Sequence, residues 1–191
     1  GALDAGVGAI VRAFAGRERL LIPVLIALFA LGGSTFGMAE ETVAFWALIV
    51  PVMMAAGFDR MVAAGIILLG SGVGVLASTV NPFATGIASG FAGIPIGEGI
   101  GLRLIQWLLL VIFASWFVMR YAKQVQQDKS RSVLADIVYD DEFSQMKSGN
   151  LAFTGKQKLT MLVFFGTFLL MIYAVVPWSD LGIDLLPTLG W

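Results

Sequence analysis

The chain has 191 residues, of which 58% are hydrophobic and only 13% are charged. A soluble domain usually carries about 25% charged residues, so this composition predicts a protein that lies in lipid. The net charge of −1 excludes the general basic surface that nucleic-acid binding needs. Because the chain has no cysteine and no histidine, disulfides and thiolate metal sites are excluded, and we expect neither zinc nor haem.

Two short apolar blocks, 20–31 and 43–56, begin the predicted membrane part of the chain. Each is shorter than the roughly 20 residues that a spanning helix needs. The segment between them, 32–41, is rich in glycine and carries two glutamates. Irregular backbone at membrane depth is tolerated only where protein or a water-filled cavity covers it. We therefore predict an interfacial segment over 1–19 and a re-entrant helical hairpin over 20–56.

The next predicted element is a transmembrane helix over 59–96 that is broken at 78–82. Its apolar stretches contain many small residues, which let neighbouring helices approach closely in lipid. The break has the sequence Ser-Thr-Val-Asn-Pro. Pro82 suits the first turn of a second half-helix, because that turn needs no backbone donor from this residue. We expect the break to lie at the middle of the span.

The remaining predicted elements alternate between apolar spans and charged segments. Spans are predicted over 102–119 and 159–177, separated by a charged cytoplasmic segment over 120–158 and followed by a periplasmic tail over 178–191. In this arrangement eleven of the twelve lysines and arginines fall on one side of the membrane, and Arg103 is the exception. Basic residues mark the cytoplasmic side, so the open end of the hairpin and the charged segment are placed there.

Glu40 and Glu41 are the first candidates for a functional role. A carboxylate at the centre of a bilayer costs about 2.5–3.5 kcal/mol on insertion scales, and here two stand side by side. We predict that at least one of them binds a coupling cation, carries a proton or pairs with a cationic substrate. The alternative is helix capping, in which Ser34 or Thr35 caps the second arm and the acids favour the helix dipole.

Ser78, Thr79 and Asn81 form the second candidate group. Their side-chain oxygens, together with backbone carbonyls freed by the break, make an oxygen-only ligand set that suits a hard cation such as Na⁺. The alternative is a proline kink in which the hydroxyls bond to the loosened carbonyls. Arg103, near Glu98 at the start of a span, is interpreted as a snorkelling interface charge, with substrate contact as the alternative.

The order of hairpin, broken span, span, charged segment and span is similar to one repeat of the ion-transporter superfamily of elevator-type carriers. In more detail, the chain resembles the YfcC-like branch of the DcuC family, the C4-dicarboxylate anaerobic carriers. The stretches that carry the resemblance cover most of residues 1–132 and are GALDAGVGAIVRAF, GGSTFGMAEETVAF, PVMMAAGFDRMVA, GSGVGVLASTVNPFATGIASGFAGI, GIGLRLIQW and VMRYAKQVQQDKSRS.

The resemblance implies an all-α polytopic membrane protein with two inverted repeats. This chain would hold one of those repeats and be a fragment of a longer transporter. Substrate and Na⁺ would bind between the hairpin tip and the loop of the broken helix. The residues that the resemblance assigns to this site are Ser34, Thr35, Glu40, Glu41, Ser78, Thr79 and Asn81, with Ser34, Thr35, Ser78 and Asn81 as the candidate Na⁺ ligands. Apart from a coupling Na⁺ or H⁺, no cofactor is expected.

The implied function is ion-coupled secondary transport of the elevator type, by a homodimer in the bacterial inner membrane. Members of the YfcC-like branch are described as basic amino-acid antiporters, whereas the wider family name implies C4-dicarboxylates. Two intramembrane glutamates and the absence of intramembrane lysine or arginine favour a basic amino acid, moved by antiport or symport. A Na⁺- or H⁺-coupled carboxylate carrier is the alternative.

Other classes of membrane protein fit the sequence less well. A channel needs a continuous pore, whereas a hairpin that faces a broken helix suits an occluded site. A non-transport membrane subunit has no need for polar interruptions at membrane depth. An enzyme is not expected, because no acid–base constellation is present. The partners expected are lipid and a small-molecule substrate.

Overall fold

The computed structural model describes residues 17–137 and scattered positions between 155 and 173, and its regular structure there is all helical. The α-helices bounded within this part are α1 (Glu18–Phe36), α2 (Val43–Ala55), α3 (Arg60–Leu76), α4 (Ile87–Ala92) and α5 (Ile100–Gln127). Three shorter turns join them: 3₁₀ turns at Glu40–Thr42 and Lys129–Arg131, and a π-helical turn at Pro82–Gly86.

Several predicted segments lie wholly or partly outside the described residues. They are the interfacial segment up to residue 16, positions 138–154 of the charged segment, much of the span over 159–177, and the tail over 178–191. The described residues comprise the segments predicted as hairpin, broken helix and first long span, and the residues that directly follow that span.

Helix α1 is longer than the apolar arm predicted at 20–31. It continues through the glycine-rich stretch to Phe36 and ends where Gly37 adopts a left-handed conformation, with φ of 82°. The backbone N–H groups of Gly37 and Met38 both donate to the Gly32 carbonyl, which closes the helix end. With 19 residues, α1 is about 28 Å long, close to the ~30 Å thickness of a hydrocarbon core.

The re-entrant hairpin therefore stays a prediction. Helix α1 is long enough to cross a membrane, whereas α2, with 13 residues, spans only about 20 Å. Both helices pack against α3, and the rings of Phe29 and Phe45 meet edge to face at 5.4 Å between α1 and α2. The two helices thus belong to one packed unit, but α1 is longer than the short arm predicted.

Glycines allow α1 and α3 to pack with their backbones close together. A Cβ added at Gly74 would lie 2.3 Å from the carbonyl oxygen of Ala30, and one added at Gly33 would lie 2.6 Å from that of Ser71. No other residue fits at such distances. Glycine weakens an isolated helix, but in lipid small residues allow the close van der Waals contact that holds helices together. This packing accounts for the helical state of a stretch that was predicted to be irregular.

The hydrophobic core lies between α1, α2, α3 and α5. Its most deeply buried side chains include Leu21, Ile22, Leu25, Ile26, Ile49, Val50, Met53, Val62, Ile66, Ile67 and Val118. Two side-chain hydrogen bonds tie α1 to α5. Trp107 Nε1 donates to the carbonyl of Ala30 at 3.1 Å, and Arg19 Nε donates to Gln126 Oε1 at 2.7 Å. Helices α1 and α5 are therefore antiparallel neighbours.

The outer face of α5 is apolar and exposed. Its exposed side chains include Leu102, Ile105, Leu109, Ile112, Phe113 and Trp116. Helix α5 has 28 residues and is about 42 Å long, which exceeds the thickness of a hydrocarbon core. Arg19–Phe36 and Ile100–Gln127 are the two described helices that are long and apolar enough to cross a membrane. An apolar surface of this extent suits contact with lipid.

The broken helix has unequal halves. Helix α3 has 17 residues, whereas the π-helical turn of five residues and α4 of six together give a second half of 11. Helix α4 ends at Gly93, which has a φ of 68°, and Pro95 follows. Helix α5 begins after Gly99, which has a φ of 71°. These glycines stop the second half early, because each takes a left-handed conformation that most residues avoid.

Asp59 joins the start of α3 to the end of α5. Its Oδ1 accepts from the backbone N–H of Val62 at 2.9 Å and caps α3. Its Oδ2 accepts from the hydroxyls of Tyr121 and Ser132, each at 2.6 Å. The starts of α1 and α3 and the end of α5 therefore lie together. The described basic residues at this end are Arg17, Arg19, Arg60, Arg120, Lys123, Lys129 and Arg131.

Candidate functional site at the helix break

The candidate site begins where α3 ends. Helix α3 stops at Leu76, residues 77–81 are not helical, and a π-helical turn follows before α4. The interruption predicted at 78–82 lies in this stretch. Asn81 starts the new turn, because its Oδ1 accepts from the backbone N–H groups of Phe83 at 2.8 Å and Ala84 at 3.1 Å. This is helix capping by an asparagine, with Pro82 in the first turn.

Ser34 and Thr79 form a buried hydroxyl pair between the end of α1 and the break. Their side-chain oxygens lie 2.9 Å apart, and the backbone N–H of Thr79 donates to Ser34 Oγ at 3.0 Å. The N–H groups of Thr79 and Val80 also both donate to the Ser34 carbonyl at 3.2 Å. Ser34 is 1% exposed and Thr79 is 7% exposed. The end of α1 thus supplies the acceptors that the broken helix lacks.

Asn81 adds a third link between the same two segments. Its Nδ2 donates to the carbonyl of Gly33 at 3.0 Å, and the side chain is 1% exposed. A Cβ added at Gly37 would lie 3.0 Å from both terminal atoms of this amide. We call Ser34, Thr79 and Asn81 the polar cluster. It is a compact group of neutral hydrogen-bonding side chains within an apolar helical body.

Ser78 turns away from the cluster and pairs with Thr85. The two hydroxyls are hydrogen-bonded to each other, and Thr85 Oγ1 is also within 3.2 Å of the Ser78 carbonyl, to which it can donate. Thr85 was not predicted as a site residue. The signal available in the sequence was a hydroxyl three residues after the proline, in the turn that closes the break.

The other predicted residues do not join the cluster. Thr35 Oγ1 donates to the carbonyl of Leu31 on its own helix at 2.8 Å. Glu40 and Glu41 are exposed, and Glu41 Oε2 accepts from the backbone N–H of Ala39 at 3.2 Å. That contact is local to the turn. The alternative, in which Ser34 or Thr35 caps the second arm, is not seen: α2 has no side-chain cap, Ser34 bonds to the break and Thr35 bonds to its own helix. The four candidate Na⁺ ligands are thus divided between the cluster, the Ser78–Thr85 pair and the surface of α1.

Arg103 reaches the break from α5. Its Nη1 donates to the carbonyl of Thr79 at 2.6 Å, and its Nη2 donates to the carbonyls of Ile96, at 2.5 Å, and Glu98. The interpretation of Arg103 as a snorkelling interface charge stays a prediction, and its guanidinium is bound to backbone carbonyls of the break and of the loop before α5. The expectation that no lysine or arginine lies near the predicted site is wrong, because Arg103 binds the carbonyl of Thr79. The only signal in the sequence for this contact was the loop of small residues before Arg103. That loop does not reveal that Arg103 binds the carbonyl of Thr79.

Comparisons with known proteins place this site within one family. The profile of the DcuC family, described as C4-dicarboxylate anaerobic carrier, matches residues 1–186. The chain belongs to the DcuC family. A relative from Escherichia coli K12, named "Putative basic amino acid antiporter YfcC", is 34% identical over 179 residues. An uncharacterized protein from Haemophilus influenzae is 36% identical over 184 residues.

Each alignment covers 92% of this DcuC-family chain but only 35% of the relative. The chain therefore spans about a third of the length of these relatives. The comparison with solved structures found no significant match. The polar cluster, the Ser78–Thr85 pair and Arg103 all lie inside the region that the family profile matches. The break is thus part of the DcuC-family region and not an appended segment.

Proposed function

We propose that this DcuC-family chain forms part of an ion-coupled secondary transporter, and that the helix break holds the substrate or its coupling ion. The observation that carries the proposal is the buried polar cluster at the junction of α1 and the break. Buried polar groups in a membrane protein are costly, and beside a broken helix they are the kind of group that binds substrate or ions in carriers. Non-helical backbone at such a site is tolerated where it is covered by protein, and carriers bind ligands at such broken helices.

The bonds of the cluster can be exchanged for those of a ligand. Each links neutral groups, and such a bond contributes about 0.5–1.5 kcal/mol to stability. A Na⁺ ion or a polar substrate could replace one or two of them without breaking an ion pair. The oxygen atoms of Ser34, Thr79 and Asn81, with the nearby carbonyls, are the ligand type that a hard cation prefers. We propose that Na⁺ or H⁺ drives transport. Glu40 and Glu41 are exposed and are the carboxylates nearest to Ser34 in the sequence.

The movement that we propose is of the elevator type, in a homodimer of the bacterial inner membrane. The body that moves would contain α1, α3, the break and α5. These helices share one core, and α5 is tied to the break through Arg103. The re-entrant hairpin remains part of the proposal, with α2 as its short arm.

We propose a basic amino acid as the substrate, in line with the name of the Escherichia coli relative. One observation favours the alternative, a C4-dicarboxylate or other carboxylate. Arg103 places a positive charge at the break, whereas Glu40 and Glu41 are exposed and outside the polar cluster. A basic amino acid also carries a carboxylate, so the arginine is compatible with both substrates. The cationic side chain of such a substrate needs an acidic or other acceptor group in the protein.

Uptake by the complete protein in proteoliposomes tests the proposal. Radiolabelled arginine, ornithine and succinate are offered with and without Na⁺ and pH gradients. We expect gradient-dependent uptake of one substrate class. Ser34→Ala should lower the apparent affinity about tenfold, because it leaves buried partners of the hydroxyl without a bond. Glu40→Gln and Glu41→Gln should alter the dependence on the gradient.

The matched control is Ser71→Ala. Ser71 is also a buried serine, but its hydroxyl donates to the carbonyl of Ile67 on its own helix at 2.9 Å. This variant should transport like the wild type. Thr35→Ala separates two hypotheses, because it weakens Na⁺ dependence only if the sequence-predicted ligand set forms. Equal uptake by wild type, Ser34→Ala and Ser71→Ala would contradict a site at the break.

A further inference from the structure

We propose that Arg103 is a positioning residue whose guanidinium holds the backbone of the break and thereby sets the geometry of the polar cluster. The inference deepens the proposed function and rests on it for its transport measurements. Arg103 is the fourth residue of α5, whereas Ser34 lies in α1 and Thr79 and Asn81 lie in the break. Its side chain connects α5 to the break and to the loop between α4 and α5.

The carbonyl of Thr79 needs a donor because the helix does not continue. In a regular helix it would accept from the N–H of Phe83, four residues later. Here the N–H groups of Phe83 and Ala84 donate to Asn81 Oδ1 instead, and Pro82 has no N–H. An unpaired carbonyl away from water is costly. Arg103 Nη1 supplies the missing donor at 2.6 Å.

The position of the Thr79 peptide, which Arg103 holds, also determines the position of its hydrogen bonds to Ser34. The backbone N–H of Thr79 donates to Ser34 Oγ, and its hydroxyl is bonded to the same oxygen. With its carbonyl held by Arg103, every polar atom of Thr79 has a partner. A shift of the Thr79 peptide would therefore move the hydroxyl pair. Arg103 has no hydrogen bond to a side chain of the cluster among the described residues, so its effect acts through the backbone.

The remaining donors of Arg103 fix the position of the guanidinium itself. Nη2 donates to the carbonyls of Ile96 and Glu98 in the loop before α5. A planar guanidinium offers five N–H groups in a fixed fork and can bridge several carbonyls at once. A lysine ammonium at the same place has one centre of charge and cannot span the same three acceptors. The contacts thus require arginine and not only a positive charge.

The test compares Arg103→Lys with wild type in the complete protein. The first measurement is hydrogen–deuterium exchange of peptides that cover residues 77–86. We expect faster exchange there in the variant, with α1 and the second half of α5 unchanged. The second measurement is uptake. We expect the half-saturating substrate concentration to rise about tenfold, with the maximal rate within about threefold of wild type, since a site is misplaced but not removed.

A double variant adds a readout that a general loss of stability would not give. If Arg103 acts through Thr79 and Ser34, the effect of Arg103→Lys should be largely absent when Ser34→Ala is already present, because contacts in one network are not additive. Arg120→Lys is the matched control on the same helix. Arg120 lies over the ring of Trp116, with 5.9 Å to the centroid, at the other end of α5.

Each outcome decides the inference. Unchanged exchange over 77–86, or additive effects of the two substitutions, would overturn it. Faster exchange throughout α1 and α5 would also overturn it, because Arg103 would then support the whole fold. The same exchange measurement on Arg103→Gln provides a second variant for this comparison. If the wild-type protein takes up none of the substrates, the proposed function fails, whereas the exchange measurement still decides whether Arg103 holds the break.

Discussion

At the scale of single residues, Asn81 has two separable tasks. Its Oδ1 caps the turn that leads to α4, and its Nδ2 ties the break to the Gly33 carbonyl of α1. Serine is an equally good helix cap, but it lacks the amide donor. A substitution by serine therefore removes only the second task, whereas alanine removes both.

We expect Asn81→Ala to lower the stability of the protein by about 1–3 kcal/mol, because it loses a cap and leaves a buried carbonyl unpaired. Asn81→Ser should recover roughly 1 kcal/mol of that loss through capping. Both variants should lose Na⁺-dependent binding, if the amide also positions the cluster. Thermal unfolding of the purified complete protein measures the first effect, and the shift of unfolding temperature with Na⁺ measures the second. Equal stability of the two variants would show that capping contributes nothing.

The sequence identified which residues are polar but not which of them meet. Ser34 and Thr35 are neighbours, yet successive side chains on an α-helix point about 100° apart. Ser34 therefore faces the break, while Thr35 bonds to its own helix. The two glutamates were predicted from the cost of burying charge, and the 3₁₀ turn places both on the exposed side. Rotation about a helix axis is fixed by packing, which the local sequence does not specify.

At the scale of helices, the contact between α1 and α3 depends on glycine. Gly72 and Gly74 both lie in α3, but their surroundings differ. A Cβ at Gly74 would clash with the backbone of Ala30, whereas one at Gly72 would meet no atom within 4 Å. The pair separates the packing role of glycine from its low helix propensity.

We expect Gly74→Ala to destabilise the protein by about 1–3 kcal/mol, the usual cost of inserting atoms into a well-packed contact. Gly72→Ala should be neutral or stabilising by up to ~1 kcal/mol, because alanine favours the helix. Thermal unfolding in detergent measures both. The same small change at two positions of one helix thus gives opposite signs. A loss of stability at position 72 equal to that at 74 would contradict the close approach of the two helices.

The helices themselves were partly predictable. The position of the break follows from Asn81 and Pro82, because both residues have strong local preferences at a helix start. The end of α1 at Phe36 did not follow from its composition. Glycines at 32 and 33 indicated an irregular tip, but tertiary packing against α3 keeps them helical. The early end of α4 was missed for the opposite reason, since Gly93 was counted as a small packing residue and not as a turn residue.

At the scale of the whole molecule, the two ends of α5 carry different contacts. Arg103 binds the break at one end, while Tyr121 binds Asp59 at the other. Across most of its length between them, α5 presents exposed apolar side chains. If α5 crosses the membrane, the loop before it and the residues after it lie on opposite sides. The basic residues at the end of α5 then mark the cytoplasmic side.

Cysteine labelling tests this arrangement, and the chain itself contains no cysteine that would interfere. The reporters are Glu98→Cys, in the loop before α5, and Gln127→Cys, the last residue of α5; both positions are exposed. Val125 would be a poor reporter, because it is 2% exposed. We expect a membrane-impermeant thiol reagent to label position 98 only from outside intact cells, and position 127 only after the inner face is opened.

Arg131→Cys is the control for the inner side, because Arg131 is exposed in the 3₁₀ turn that follows α5. It should label with position 127 and not with position 98. The two reporters are separated by about 40 Å along the helix, more than the ~30 Å of a hydrocarbon core, so a crossing helix must expose them on different faces. Labelling of positions 98 and 127 from the same face would mean that α5 lies along the membrane. The polar cluster would then have to be reached from that one side, and alternating access through the break would be ruled out.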